Sequence, residues 1–340
     1  MSGALETLFY YIQNDTDLNL YSRVLYANAR FHDGLADCGT SELYAQQYFK
    51  PYADMLTAKG YKAHTSIDKA GQGYDLSCLL LPKNMIEGRY MIAQCLNLLS
   101  QGGRFVCAAD NNSGGGRLKK LLREFGCDDV AQDSRNKAKV VSCVKNNIDQ
   151  NRIDMAIADG APQHIMDGQY MSVPGVFGWN KIDTGSKILA DNLPDAVGGV
   201  GADFGCGYGY LSDVVLSRYE SVSFVHCIDA DARSVNLCLQ NLDKYKGRFD
   251  SQWMDLTLPP ADLNGLDFVI MNPPFHEGRR SDSDIGVSFV RSAHMSLRAG
   301  GNLYMVANSQ LPYEGILNDK FSSVRKVTEE NGFKVYYAIK

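Results

Sequence analysis

The sequence predicts an α/β protein made of two tandem doubly wound domains, the first a degenerate copy of the second. Three observations carry this. Phe268 to Met271 is a short apolar run, the pattern of a strand buried on both faces of a parallel sheet, and it stops at Asn272-Pro273-Pro274-Phe275. Upstream, another short strand ends at Asp203-Phe-Gly-Cys-Gly-Tyr-Gly209 and leads into a helical segment over 210–217. The order buried strand, proline, helix, Gly-Gly, buried strand occurs twice along the chain.

Size and composition agree with this class. The chain has 340 residues, enough for two domains, with 45% hydrophobic and 21% charged residues. No apolar run approaches the roughly 20 residues that span a bilayer. The first residues lack a basic segment followed by an apolar one, so no signal peptide is expected. Nine cysteines are scattered without a C-x-x-C pair, which suggests reduced thiols in a cytoplasm; neither a disulfide framework nor a metal site is expected. The net charge of −5 argues against a protein that coats nucleic acid. The charge is uneven, however: residues 117–152 carry nine basic side chains against five acidic ones. This stretch is the candidate for phosphate contacts, with a solvated helix face as the competing reading.

Taken in order, Leu5, Leu8, Phe9 and Ile12 have helical spacing, and Arg23 to Asn28 reads as a short strand. Residues 41–58 read as a helix kinked or broken at Pro51. The repeat begins at Gly73-Tyr-Asp-Leu-Ser-Cys-Leu-Leu-Leu-Pro82, which aligns with Gly265 to Pro274. The segment after Leu99 aligns with the segment after Leu297, with a short insertion between the blocks and one residue within the strand. The Gly-Gly pairs fit a helix end followed by a turn. In the first copy Leu80 replaces Asn272 and Lys83 replaces Phe275, and no D-x-G-x-G loop follows a first strand. The N-terminal half, placed at 1–155, is therefore expected to have lost a site and to serve as scaffold or RNA-binding domain. Residues 150–170 are polar without a clear period and read as the linker. Residues 171–178 read as a tight hairpin into the second domain, 156–340. Asp183-Thr-Gly-Ser-Lys starts a helix.

In the second half each strand end offers ligand-facing groups. Gly205 and Gly207 permit a tight turn on which a ligand can lie. Asp203 puts a carboxylate there, which would repel a pyrophosphate and attract an ammonium group. Asp229 ends the second strand, where Rossmann-like sheets bind ribose hydroxyls; Asp231 is the competing candidate, or a helix cap. Trp253 and Met254 can flank an adenine or pack in the core, and Asp255 can accept an adenine amino group. At the fourth strand end, the Asn272 amide oxygen and the Pro273 carbonyl can accept from one planar NH2 group, and Phe275 offers a stacking face. Ser323 to Glu329 and Phe333 to Ile339 form a hairpin about Asn331-Gly332.

Asp203-Phe-Gly-Cys-Gly207, Asp229 and Asn272-Pro-Pro-Phe275 resemble the motifs of class I S-adenosylmethionine-dependent methyltransferases. With Pro174-Gly-Val-Phe177, Asn272 to Gly278, Val306-Ala-Asn308, Leu311-Pro-Tyr313 and Phe333 to Tyr336, the chain is similar to the ribosomal RNA guanine-N2 methyltransferases. It resembles the small-subunit methyltransferase C family most, with the large-subunit methyltransferase G family a close relative. The resemblance implies tandem Rossmann-like domains, the first degenerate. It implies S-adenosylmethionine as cofactor, bound by Asp203, Gly205, Cys206, Gly207, Asp229, Ala230, Met254, Asp255 and Asn272. It implies catalysis by Asn272, Pro273, Pro274 and Phe275. The expected partner is ribosomal RNA or a ribosomal subunit, met by a cytoplasmic monomer without metal or membrane. Arg279 and Arg280 are candidate phosphate contacts, and His276 a candidate substrate contact. Adenine-N6 and protein-glutamine methylation, and a non-catalytic RNA-binding protein, remain open as alternatives.

Overall fold

Apolar runs closed by glycine, proline or asparagine become the strands of two sheets that share one strand order. The computed structural model describes residues 3–15, 21–36, 42–274 and 280–340. The expected roles of Phe275, His276 and Arg279 lie outside the described residues, as does the side chain of Arg280. The chain divides into two compact units, 1–162 with 173–175, and 163–172 with 176–340.

The first unit runs α1 (Gly3–Asp15), β1 (Arg23–Ala27), β2 (Glu42–Gln46), α2 (Lys50–Ala58), β3 (Ala63–His64), β4 (Tyr74–Leu80), α3 (Met85–Leu98), β5 (Leu99–Asp110), α4 (Leu118–Glu124), β6 (Ala131–Arg135), β7 (Ala138–Val144) and α5 (Gln150–Gly160). The second runs β8 (Gln163–Ile165), β9 (Tyr170–Ser172), α6 (Thr184–Asp191), β10 (Gly199–Phe204), α7 (Tyr210–Arg218), β11 (Val222–Asp229), α8 (Ala232–Asn241), β12 (Phe249–Trp253), β13 (Leu266–Met271), α9 (Arg280–Ser296), β14 (Leu297–Asn308), α10 (Glu314–Lys320), β15 (Ser323–Glu330) and β16 (Phe333–Ile339). The sheets are ordered β3-β2-β1-β4-β5-β7-β6 and β12-β11-β10-β13-β14-β16-β15. In each, the first five strands are parallel and the last two antiparallel. The chain order reverses between β1 and β4, and between β10 and β13, which opens the crevice where doubly wound sheets bind ligands.

Both sheets are covered on both faces, which explains the nearly unbroken apolar strands. In the second unit, Ile188, Leu211, Val215, Cys227 and Ile270 form the core on one face, and Ala202, Phe204, Met271, Phe289 and Met305 the core on the other. The β15–β16 hairpin closes over Asn331 (φ 50°) and Gly332 (φ 79°), the left-handed pair that a tight hairpin turn requires.

The duplication is closest where β4 pairs with β5 and β13 with β14. β5 and β14 are both 12 residues long, so no insertion is needed within that strand. The Gly-Gly pairs do not cap helices. α3 and α9 end before Leu99 and Leu297, and Gly102 (φ 79°) and Gly300 (φ 73°) lie at matching register shifts inside the strands. Three other expectations are corrected. Residues 42–46 form β2, not a helix, because Tyr44 and Ala45 pair with Leu25 and Tyr26 on a sheet that needs them; Pro51 stands in the first turn of α2, where its missing N–H is harmless. Residues 150–160 form α5, capped by Asp149 and burying Ile153 and Ala156, so the expected boundary at 155/156 falls inside a helix. The hairpin is β8–β9, turning over Met166, Asp167 and Gly168, and it shares only Met171 and Ser172 with the expected 171–178.

The first copy has closed over the place where the second opens. By strand register, Asn28 (φ 51°) stands where Gly205 (φ 80°) does, and Leu80 where Asn272 does. Asn28 donates to the Leu80 carbonyl (2.8 Å), its backbone N–H donates to Gln46 Oε1 (2.9 Å), and Gln47 Nε2 donates to the Ala29 carbonyl (2.7 Å). All three side chains are buried. Their polar groups satisfy one another and the strand ends instead of a ligand.

On β10, a methyl group at Gly201 would drive into the ring of Phe268, which is itself buried in β13. Gly201→Ala is expected to destabilise the protein by about 1–3 kcal/mol through overpacking, read as a lower urea midpoint. An unchanged midpoint would show that the Phe268 ring can give way.

Candidate active site

The carboxyl ends of β10 and β13 and the start of α6 flank an open cleft. It is lined by Phe177, Gly178, Asp183, Ser186, Gly205, Cys206, Gly207, Tyr208, Tyr210, Leu211 and Asn272. The loop after β10 is bolted to β11. The Gly205 and Cys206 N–H groups donate to the Ile228 carbonyl at 2.8 and 3.0 Å, and the Gly207 N–H donates to Asp229 Oδ2 at 2.9 Å. Gly205, Gly207 (φ 55°) and Gly209 (φ 97°) have left-handed backbone, and a Cβ at Gly207 would meet nothing within 4 Å. The backbone there faces open space, so a ligand can approach it directly.

Asn272 leaves β13 with its side chain anchored. Its Nδ2 donates to Asp183 Oδ2 (2.9 Å) and to Ser186 Oγ (2.8 Å). Both amide protons are thereby committed. Asn272 Oδ1 is buried and has no partner. A buried acceptor of this kind costs about 1–3 kcal/mol until a donor meets it. Asp183 is also the N-cap of α6, its Oδ2 accepting from the Ser186 N–H at 2.9 Å.

Burial governs the two acidic groups at the strand ends. Asp203 is fully buried, and its Oδ2 accepts from Ser212 Oγ at 2.7 Å while Oδ1 has no partner. Its pKa is raised to about 7, chiefly by burial. It does not line the cleft; it faces the first turn of α7, where a carboxylate suits the helix N-terminus. Asp229 accepts from Gly207 through Oδ2 and from the Asp231 N–H through Oδ1 (2.8 Å), and its pKa is raised to about 6, by burial and then by Asp231. Asp231 caps α8 and pairs with Arg233 (2.7 Å), so the helix-cap role is present.

Among the residues singled out from sequence, Gly205, Cys206, Gly207 and Asn272 meet in the cleft. Pro273 is buried and Pro274 exposed just beyond. Ala230, Met254 and Asp255 lie at the ends of β11 and β12. The Ala230 carbonyl accepts from Trp253 Nε1 (2.8 Å), Met254 packs on the core, and Asp255 closes a turn onto Thr257. Sequence reasoning missed Asp183 and Ser186 as site residues. The Asp-x-x-Ser pattern signalled a helix cap, and nothing local to it points to Asn272, 89 residues away.

The chain is similar to known proteins in sequence and in fold. Residues 167–337 match the family described as methyltransferase small domain. The ribosomal RNA small subunit methyltransferase C of Psychromonas ingrahamii is 28% identical over 312 residues, covering 90% of this chain and 87% of that protein. Its namesake in Acinetobacter baumannii is 28% identical over 330 residues, covering 94% and 95%. In fold, the chain is similar to the T. thermophilus 16S rRNA N2 methyltransferase in complex with AdoMet and guanosine. The TM-score is 0.78 at 24% identity, over 94% of this chain and 88% of that one.

The buried carboxyl of Asp203 makes stability depend on pH with a definite sign. Its folded pKa lies above the ordinary value, so its contribution is present below about pH 4 and lost as pH rises through about 7. Asp203→Asn cannot ionise. Between about pH 5 and pH 8 its unfolding free energy is expected to fall less than that of the unaltered protein, by on the order of 2 kcal/mol in urea denaturation.

Proposed function

The chain belongs to the methyltransferase small domain family, and on that premise we propose that it transfers a methyl group from S-adenosylmethionine to the exocyclic N2 amine of a guanine in small-subunit ribosomal RNA. One observation carries the reading: among the described residues, Asn272 Oδ1 is a buried acceptor without a partner, and it lies in the cleft beside a glycine turn open to a ligand. An acceptor with no donor calls for an N–H group. The relatives named above supply the class of substrate, and the solved structure of similar fold holds both a methyl donor and a guanosine.

The residues present fit the cofactor. Left-handed backbone at Gly205 and Gly207 lets it lie against the turn, where a side chain would be strained and in the way. Asp229, already held by Gly207, has lone pairs left for ribose hydroxyls. Trp253, Met254 and Asp255 are proposed for the adenine end. When bound, the cofactor supplies a methyl group on a positively charged sulfur, so that a C–N bond forms as a C–S bond breaks.

The chain's own groups act on the amine. A guanine amine donates poorly as a nucleophile because its lone pair is delocalised into the ring. Asn272 Oδ1 accepts one of its protons and the Pro273 carbonyl the other, which holds the nitrogen and favours the geometry that frees the lone pair. Positioning of this kind contributes several kcal/mol. No base is needed during attack, since the proton can leave to water afterwards. The base must be unpaired to reach the cleft, and Phe275 is proposed to stack on it. Phosphate contacts are proposed for the 117–152 stretch, where Arg117, Lys120, Arg123 and Lys137 are exposed.

Asn272→Ala is expected to lower methyl transfer more than about tenfold while leaving cofactor affinity within about threefold, measured with labelled donor and by calorimetry. Retention of over about a tenth of the rate would sink the assignment. In a deletion strain, mass spectrometry of small-subunit rRNA nucleosides should show one N2-methylguanosine fewer.

A further inference from the structure

We propose that Asp183 is a positioning residue that fixes which end of the Asn272 amide faces the cleft, and so makes the site select a hydrogen-bond donor at the reacting position. The proposal rests on the methyl-transfer reading for its kinetic consequence, but its physical core does not. A terminal amide turned by half a revolution keeps its shape and exchanges C=O for NH2. Something must break that symmetry, or half of the sites would present a donor and repel an amine.

Among the described residues, two groups accept from Asn272 Nδ2, and they differ in kind. Ser186 Oγ can donate or accept, so it serves either orientation of the amide. An ionised Asp183 carboxylate can only accept. With the amide reversed, Asn272 Oδ1 would face Asp183 Oδ2 at the 2.9 Å now occupied by a hydrogen bond, two acceptors in contact. Asp183 therefore decides the orientation, and Ser186 supports it. The carboxylate is itself held still, because the same Oδ2 accepts from the Ser186 N–H as the cap of α6. A residue 89 positions from Asn272 in sequence thus sets the polarity of the catalytic group without lining up on the reacting atom.

The test uses the full-length protein and separates capping from polarity. Asp183→Ser keeps a good N-cap but is too short to reach Asn272. Asp183→Asn keeps one carbonyl oxygen that can take the place of Oδ2. The side-chain NH2 signal of Asn272, assigned by its loss in Asn272→Ala, should be protected from solvent exchange in the unaltered protein and in Asp183→Asn, and unprotected in Asp183→Ser. In methyl transfer, kcat should fall about tenfold or more in Asp183→Ser, with cofactor affinity within about threefold and melting little changed, and should largely recover in Asp183→Asn. Added to Asn272→Ala, Asp183→Ser should cost nothing further. The proposal is overturned if Asp183→Ser leaves the amide protected, or slows Asn272→Ala as much as it slows the unaltered protein. If the unaltered protein does not methylate guanine N2 at all, the functional reading fails, and the amide signal still decides this one.

Discussion

The pair of hydrogen bonds from Asn272 Nδ2 to Asp183 and Ser186 is the constraint on which the site turns. It joins the end of β13 to the start of α6, and it converts an ambiguous side chain into an acceptor of fixed direction. The strand delivers the residue, the two prolines stiffen its exit, and the helix cap holds the carboxylate that aims it. Remove any of these and the cleft remains, but its chemistry becomes undirected. The glycine turn after β10 contributes the other wall, tied to β11 through Asp229 and Ile228.

Two sheets with one strand order show how little of the fold belongs to the activity. The bulged fifth strands, the antiparallel closing pair and the double coverage by helices are common to both units. The difference that bears on the site lies at the carboxyl ends of the strands, although the connections differ as well: α7 joins β10 to β11, and among the described residues no α-helix joins β1 to β2. In the second unit Gly205, Gly207 and Asn272 leave room and an open acceptor; in the first, Asn28, Gln46 and Gln47 hydrogen-bond to backbone groups near the strand ends.

Much of this was legible in the sequence because the signals were local. Apolar runs stopping at Asn272-Pro-Pro, at Asp203-Phe-Gly and at Asn331-Gly332 each encode a strand end in adjacent residues, and the duplicated order gave the architecture. The failures have tertiary causes. Residues 42–46 lack an alternating pattern, since their strand is covered on both faces, and a nearby Pro51 hid the true start of α2. The α5 helix is polar because only Ile153 and Ala156 need cover, so it passed for a linker. The contact between Asp203 and Ser212 on α7 is likewise invisible within the motif that Asp203 begins. The role of Asp183 depends on an encounter that no window of sequence contains.

The closed network at Asn28, Gln46 and Gln47 bears on how the two halves can change from here. Each of these amides satisfies a backbone group near the strand ends, the Leu80 carbonyl, the Asn28 N–H or the Ala29 carbonyl, so a single replacement strands a partner at a cost of about 1–3 kcal/mol. Reopening a berth in the first unit would demand several changes at once, with every intermediate less stable than its ancestor. The network thus works as a latch on the first unit: a single exchange at Asn28, Gln46 or Gln47 carries its cost in stability before any room is gained.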